Sequence, residues 1–172
     1  MVFPVRSLGQ RLSCAAAITA ALFVAAPVVA QDLGIEVGTR APAVTVHTLD
    51  GKPVDLGQYI GKTPMLIEFW ATWCPNCREL MPTLLDVEKK YGKRVKFLAL
   101  AVAINQSPER VRRSLAAHPL PHETLYDTDG KAAGAFDAPA TSYVVVIDKT
   151  GKVVYTGLGG KQNLDAALKK AL

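Results

Sequence analysis

Residues 65–77, "MLIEFWATWCPNC", constrain this chain more than any other stretch, because they join a continuous apolar run to two cysteines separated only by Pro75 and Asn76. The run reads as a buried strand. From Pro75 to Tyr91 the apolar positions Leu80, Met81, Leu84, Leu85 and Val87 recur at helical spacing, and Gly92 follows as a stop. Pro75 suits a first helical turn, where its missing N–H would have had no partner, and Pro82 is expected to kink the helix. Cys74 therefore stands at a strand-to-helix junction, where unpaired backbone N–H groups and the helix dipole favour a thiolate. Cys77 lies one turn later on the same face, within reach of a mixed disulfide formed by Cys74. The expected division is an outward Cys74 that attacks and an inward Cys77 that resolves.

The setting of those cysteines follows from the first thirty residues. Arg6 and Arg11 give a positive start, and an uncharged run from Cys14 to Ala30 precedes Gln31-Asp32. This reads as a secretory signal peptide over 1–30 with cleavage after Ala30, the alternative being a retained membrane anchor. Export to a periplasmic or other extracytoplasmic space is expected. Removing that segment takes away Cys14 and two of the 20 basic residues but none of the 15 acids, leaving +3. So mild a charge excludes a nucleic-acid partner as the leading reading, and "KKYGKR" at 89–94 is read as a helix end. A CxxC pair in an oxidising compartment must either close its own disulfide or be kept reduced by a partner.

Residues 31–172, within a chain that is 49% hydrophobic, suffice for one domain with its own core. "APAVTVHTLDGKPVDL" alternates around Asp50-Gly51 and predicts an N-terminal hairpin. "VKFLALAVAI" reads as a strand covered on both faces. Ser107-Pro108-Glu109 starts a helix whose apolar side carries Val111, Leu115 and Ala116. A short strand at 124–126, a small helix at 131–136, a hairpin of "SYVVVID" with "KVVYTG", and a last helix capped by Asn163 complete the pattern. Strands alternating with helices in this order give a compact α/β sandwich.

The block "FWATWCPNCRELMP" resembles the active-site segment of the thioredoxin superfamily, and with the lead-in "GKTPMLIEFWATWC" it is similar to the exported TlpA/ResA-like branch. The resemblance covers most of 36–172. It implies a three-layer sandwich with a central mixed β-sheet, an N-terminal β-hairpin and a central helix-strand insertion between Ser107 and Tyr126. The implied activity is protein thiol-disulfide exchange without a cofactor, with Cys74 as nucleophile and Cys77 as resolving cysteine. Implied partners are the thiols and disulfides of other exported proteins, apocytochrome c among them, and a membrane electron donor, with the chain acting as a monomeric reductase. Trp73, Pro75 and Asn76 would line the substrate, Trp70 the core.

Glu68 is an acid inside an apolar strand, which costs desolvation unless it is functional or satisfied. It matches the acid that thioredoxins and protein disulfide isomerases place beneath the resolving cysteine, which implies that Glu68 accepts the Cys77 proton. Where many ResA-like relatives carry a glutamate three residues after the second cysteine, this chain has Leu80, with Glu79 one step away. The family's cis-proline loop aligns on Thr141-Ser142, Pro139 being the other candidate, and a trans bond is expected before Ser142. That loop is expected to pair its backbone with substrate.

Other chemistries fit less well. Peroxiredoxins resemble Pro-x-x-x-Thr-x-x-Cys, whereas Ile67 and Ala71 stand at those places. Copper chaperones of the Sco type use CxxxC with a distant histidine, and His118 and His122 here flank "PLP". No metal site is assigned, but a copper- or zinc-handling module stays as the alternative, because serine in place of proline at 142 would leave the sulfurs open to a thiophilic ion.

Overall fold

In a computed structural model the described residues are Met1 and 34–172. The expected signal peptide lies outside them, and no described helix is long and apolar enough to cross a membrane.

The chain folds in the order β1 (Thr45–Thr48), β2 (Pro53–Asp55), β3 (Met65–Trp70), α1 (Pro75–Tyr91), β4 (Lys96–Val102), α2 (Pro108–Ala117), β5 (Glu123–Asp127), α3 (Lys131–Ala135), β6 (Tyr143–Ile147), β7 (Val153–Leu158) and α4 (Leu164–Lys169). One sheet holds all seven strands in the order β2-β1-β5-β4-β3-β6-β7. β3, β4 and β5 run parallel, while β6 lies antiparallel to β3 and β1 antiparallel to β5. The mixed sheet with an N-terminal hairpin is the architecture the sequence predicts.

Every residue of β3 is buried, which is why its sequence is a run rather than an alternation. Its side chains still alternate between faces. Leu66 packs with Leu80 and Leu84 of α1, Val144 and Val146 of β6, and Leu164 and Leu168 of α4. Ile67 and Phe69 belong to a second cluster with Phe136 after α3 and Tyr143 of β6. The Phe69 ring lies 5.6 Å from Phe136 and 5.8 Å from Tyr143, centroid to centroid. Each wholly buried leucine or phenylalanine contributes about 1.5–3 kcal/mol.

The β3-α1-β4 and β4-α2-β5 crossovers step in the same direction across the sheet, so right-handed connections put α1 and α2 on one face. The insertion helix α2 thus stands beside the helix that begins at the cysteines. Ser107 caps α2, its hydroxyl accepting from the Arg110 N–H, and Pro108 takes the first turn. Val111 is buried and Leu115 half-buried, but Ala116 is exposed, so the apolar side is narrower than expected. Pro82 lies within α1 without ending it.

Candidate redox site

α1 starts one residue after Cys74, with Pro75 in its first turn, and the Cys74 sulfur accepts a hydrogen bond from the Cys77 N–H at 3.0 Å. That bond makes a cysteine the helix cap, a position in which a thiolate would be held by backbone N–H groups. Cys74 and Cys77 are joined as a disulfide with their Cα atoms 5.4 Å apart. The expected contrast between an outward and an inward sulfur is not seen in this oxidised pair. Cys74 is 2% exposed and Cys77 3%. What distinguishes the two is position along the helix: Cys74 caps it, whereas Cys77 also lines a cavity of about 460 Å³ between α1 and α2, walled by Trp70, Met81, Leu115 and Leu120. A larger groove of about 780 Å³ lies between α1 and α4 and includes neither cysteine. Within it Lys90 pairs with Asp165 and Lys161 lies beside Glu79.

Glu68 sits mid-strand in β3, opposite Ala99 on one side and Val144 on the other. It is 1% exposed, and neither carboxylate oxygen has a partner among the described residues. Burial among apolar neighbours pushes its carboxyl up to about 8. The alternation of β3 puts it on the face of Leu66, the side covered by α1. An acid of this kind is protonated at neutral pH and titrates just above it. Leu80 is wholly buried in the α1 core and Glu79 exposed, so neither supplies a second acid beneath the pair.

Trp73 is partly exposed, and its indole N–H donates to the Ile104 C=O at 2.9 Å, leaving the exposed Ile104 side chain beside it. Trp70 is in the core, its indole N–H without a partner among the described residues. Pro75 and Asn76 are exposed at the start of α1.

Ser142 departs from both roles expected of it. It is wholly buried at φ 62°, its N–H donating to Phe69 C=O at 2.8 Å and its hydroxyl to Gly159 C=O at 3.1 Å. Its own C=O accepts from Gly159 N–H and from the Gln162 amide. Every polar group of Ser142 is therefore used inside the fold, so it offers neither a free edge to a substrate peptide nor a donor to a metal. In this oxidised pair both cysteines are buried as well, so the openness on which the copper or zinc alternative rested is not seen among the described residues. The described peptide bonds are all trans, that before Ser142 included. Thr141, by contrast, is half-exposed and its backbone has no partner among the described residues. Pro139 is exposed.

In the sequence His122 stands only as a histidine flanking "PLP" that fits a metal site poorly, and nothing marks Gln106. The buried His122 ring meets Glu88 of α1, Nδ1 to Oε2 at 2.6 Å, which ties the loop after α2 to the active helix. Gln106 bonds the turn that leads into Cys74, accepting from the Thr72 N–H at 2.9 Å. Both are long-range pairings that no local pattern announces. Among the described residues no three histidine, cysteine or acidic side chains cluster as a metal site.

Comparison with known proteins gives this geometry a family. The Redoxin family profile matches residues 36–172. The chain is 30% identical over 139 residues to the thiol-disulfide oxidoreductase ResA of Bacillus thuringiensis (strain Al Hakam), covering 79% of each. It is 29% identical over 143 residues to the thioredoxin-like protein YneN of Bacillus subtilis (strain 168), covering 80% of this chain and 82% of that one. The crystal structure of a thiol:disulfide interchange protein of the thioredoxin family from Chlorobium tepidum TLS superposes with a TM-score of 0.64 at 26% identity, over 78% of this chain and 96% of that one. The thioredoxin domain of a thiol-disulfide oxidoreductase from Bacteroides vulgatus, at 20% identity and a TM-score of 0.68, shares the fold over 80% of this chain and 99% of that one. A disulfide at the start of α1, on this fold and among these relatives, identifies the chain as a member of the Redoxin family in the thioredoxin superfamily, a ResA-like protein thiol-disulfide oxidoreductase.

Proposed function

We propose that this protein is an exported reductase of other exported proteins, in which Cys74 attacks, Cys77 resolves and Glu68 takes the Cys77 proton. The observation that carries the reading is the Cys77 N–H directed at the Cys74 sulfur at 3.0 Å, at the N-terminus of a 17-residue helix. Once the disulfide is reduced, that N–H and the dipole stabilise negative charge on Cys74 rather than on Cys77.

The reaction is then two exchanges. The Cys74 thiolate attacks one sulfur of a substrate disulfide, forming a mixed disulfide and releasing the other sulfur as a thiolate that takes a proton from solvent. Glu68, ionised in the fraction set by a carboxyl near 8, accepts the Cys77 thiol proton. The Cys77 thiolate attacks the Cys74 sulfur, the substrate leaves with its second thiol, and the Cys74–Cys77 disulfide re-forms. Two electrons have passed to the substrate, so a dithiol donor must restore the pair. A membrane electron carrier is the donor this reading expects, consistent with the leader expected over 1–30.

The exposed Trp73, Pro75 and Asn76, and Thr141, whose backbone has no partner among the described residues, are the residues on which an extended substrate would lie, with Thr141 replacing Ser142 as the pairing residue. The reductase direction is tested by equilibrating the Cys74–Cys77 couple with glutathione buffers. A potential near thioredoxin's, about −270 mV, is expected, and one near the strong oxidants, about −120 mV, would contradict it.

A further inference from the structure

Gln106 bonds three parts of the fold, the turn before Cys74 and the end of β4 through its side-chain amide and β5 through its backbone. Its oxygen accepts from the Thr72 N–H at 2.9 Å, and its nitrogen donates to the C=O of Val102, the last residue of β4, at 2.6 Å. Its backbone C=O accepts from the Tyr126 hydroxyl of β5 at 2.8 Å. The preceding residue, Asn105, stands at φ 53°, a left-handed conformation that asparagine tolerates better than most residues other than glycine. Next to it, Ile104 C=O accepts the Trp73 indole N–H at 2.9 Å. Two consecutive residues of the turn before Cys74 are thus held by one loop, 102–106. The turn itself is closed by Cys74 N–H donating to Ala71 C=O at 3.1 Å.

We infer that Gln106 is a positioning residue for the redox pair, holding the 71–73 turn so that Cys74 keeps its place as the α1 cap after the disulfide opens. The inference rests on the proposed role of Cys74 as the attacking thiolate. In the oxidised protein the disulfide itself holds Cys74 against Cys77, and the clamp is redundant. In the reduced protein that covalent tie is gone. The Cys77 N–H then meets the Cys74 thiolate only if the turn stays in place, and Thr72 is two residues away from that sulfur. The clamp therefore stabilises the reduced form more than the oxidised one, so its loss makes the couple more reducing and Cys74 harder to ionise. The chemistry asks for an amide in particular, because the position needs an acceptor towards Thr72 and a donor towards Val102 in one planar group. A carboxylate opposes the Val102 C=O, and an apolar isostere leaves both backbone groups unpaired.

The test is the glutathione equilibrium and the Cys74 thiolate titration of Gln106→Leu and Gln106→Glu beside wild type, with folding checked by circular dichroism. Gln106→Leu should shift the equilibrium towards the disulfide by about threefold to tenfold, up to ~30 mV for this two-electron couple, and raise the pH at which Cys74 ionises. A lowered Tm with both redox readouts unchanged would overturn the inference. Gln106→Glu decides the matter even where the leucine variant does not fold. Protonated, its carboxyl again donates to Val102, so its offset from wild type should shrink as pH falls from 8 to 5, while Arg110, in contact with the Asn105 C=O, keeps its charge. An offset that does not change with pH would contradict it. Should wild type itself fail to exchange with glutathione, the proposed function falls, whereas normal exchange by wild type and identical exchange by both variants removes the clamp alone.

Discussion

Glu68 lies opposite Val144 where β3 pairs with β6, so the acid of the redox strand has a wholly buried valine as its cross-strand neighbour. Nothing described bonds its carboxylate, and burial raises the carboxyl to about 8 from an ordinary 4.5. The folded protein therefore binds this proton more tightly than the unfolded chain does. The linkage penalty is absent below about pH 4.5, grows as pH rises, and is complete above about pH 8. Glu68→Gln removes it, and should be more stable than wild type by an amount that grows over that window to no more than about 5 kcal/mol. Denaturant unfolding of the oxidised proteins at pH 5, 7 and 9 measures the difference. The same variant should release substrate from the mixed disulfide more slowly at neutral pH, about 10-fold or more if the acid is the proton acceptor. A stability gain with no kinetic loss would leave Glu68 a strained core residue only.

Ser142 yields a prediction opposite to the one its alignment suggests. A proline there cannot reach φ 62° and has no N–H for Phe69, so Ser142→Pro should destabilise by about 3 kcal/mol or more. Ser142→Gly accommodates the backbone and loses only the hydroxyl bond to Gly159, with an expected cost of about 1 kcal/mol. Urea titration of the two variants compares them directly. A proline variant as stable as wild type would mean that this loop has a second accessible path.

Asp127, 2% exposed at the end of β5, accepts from the N–H groups of Ala132 and Ala133 at 3.0 and 2.9 Å. It acts as the cap of α3, because Gly130 at the formal cap position has no side chain to offer. Asp127→Ala should cost about 1–3 kcal/mol, and Asp127→Asn less, since one amide oxygen can still accept. Thermal unfolding of both variants checks the order.

The elements could be read from the chain because their signals are local. Helical spacing from Leu80 to Val87, the Asp50-Gly51 turn, the caps Ser107 and Asn163, and the apolar run of β3 each sit within one segment, and each element forms where its pattern lies. The cysteines and Glu68 were visible for the same reason. What could not be read depends on residues distant in sequence. Burial of Cys74 depends on how other elements cover the junction, and the used-up backbone of Ser142 depends on Gly159 and Gln162. Gln106 meets Thr72 across 34 residues, as His122 meets Glu88. A glutamine and a histidine in loops carry no pattern that names such partners.

The assignment of the two sulfurs is tested most directly by trapping. Cys77→Ser and Cys74→Ser, each reduced and mixed with a disulfide-bonded protein substrate, are analysed by mass spectrometry for the covalent adduct. With Cys74 attacking and Cys77 resolving, the Cys77→Ser protein should accumulate a mixed disulfide on Cys74 while the Cys74→Ser protein accumulates none. Adducts on Cys77 in the Cys74→Ser protein, with none in Cys77→Ser, would contradict the account.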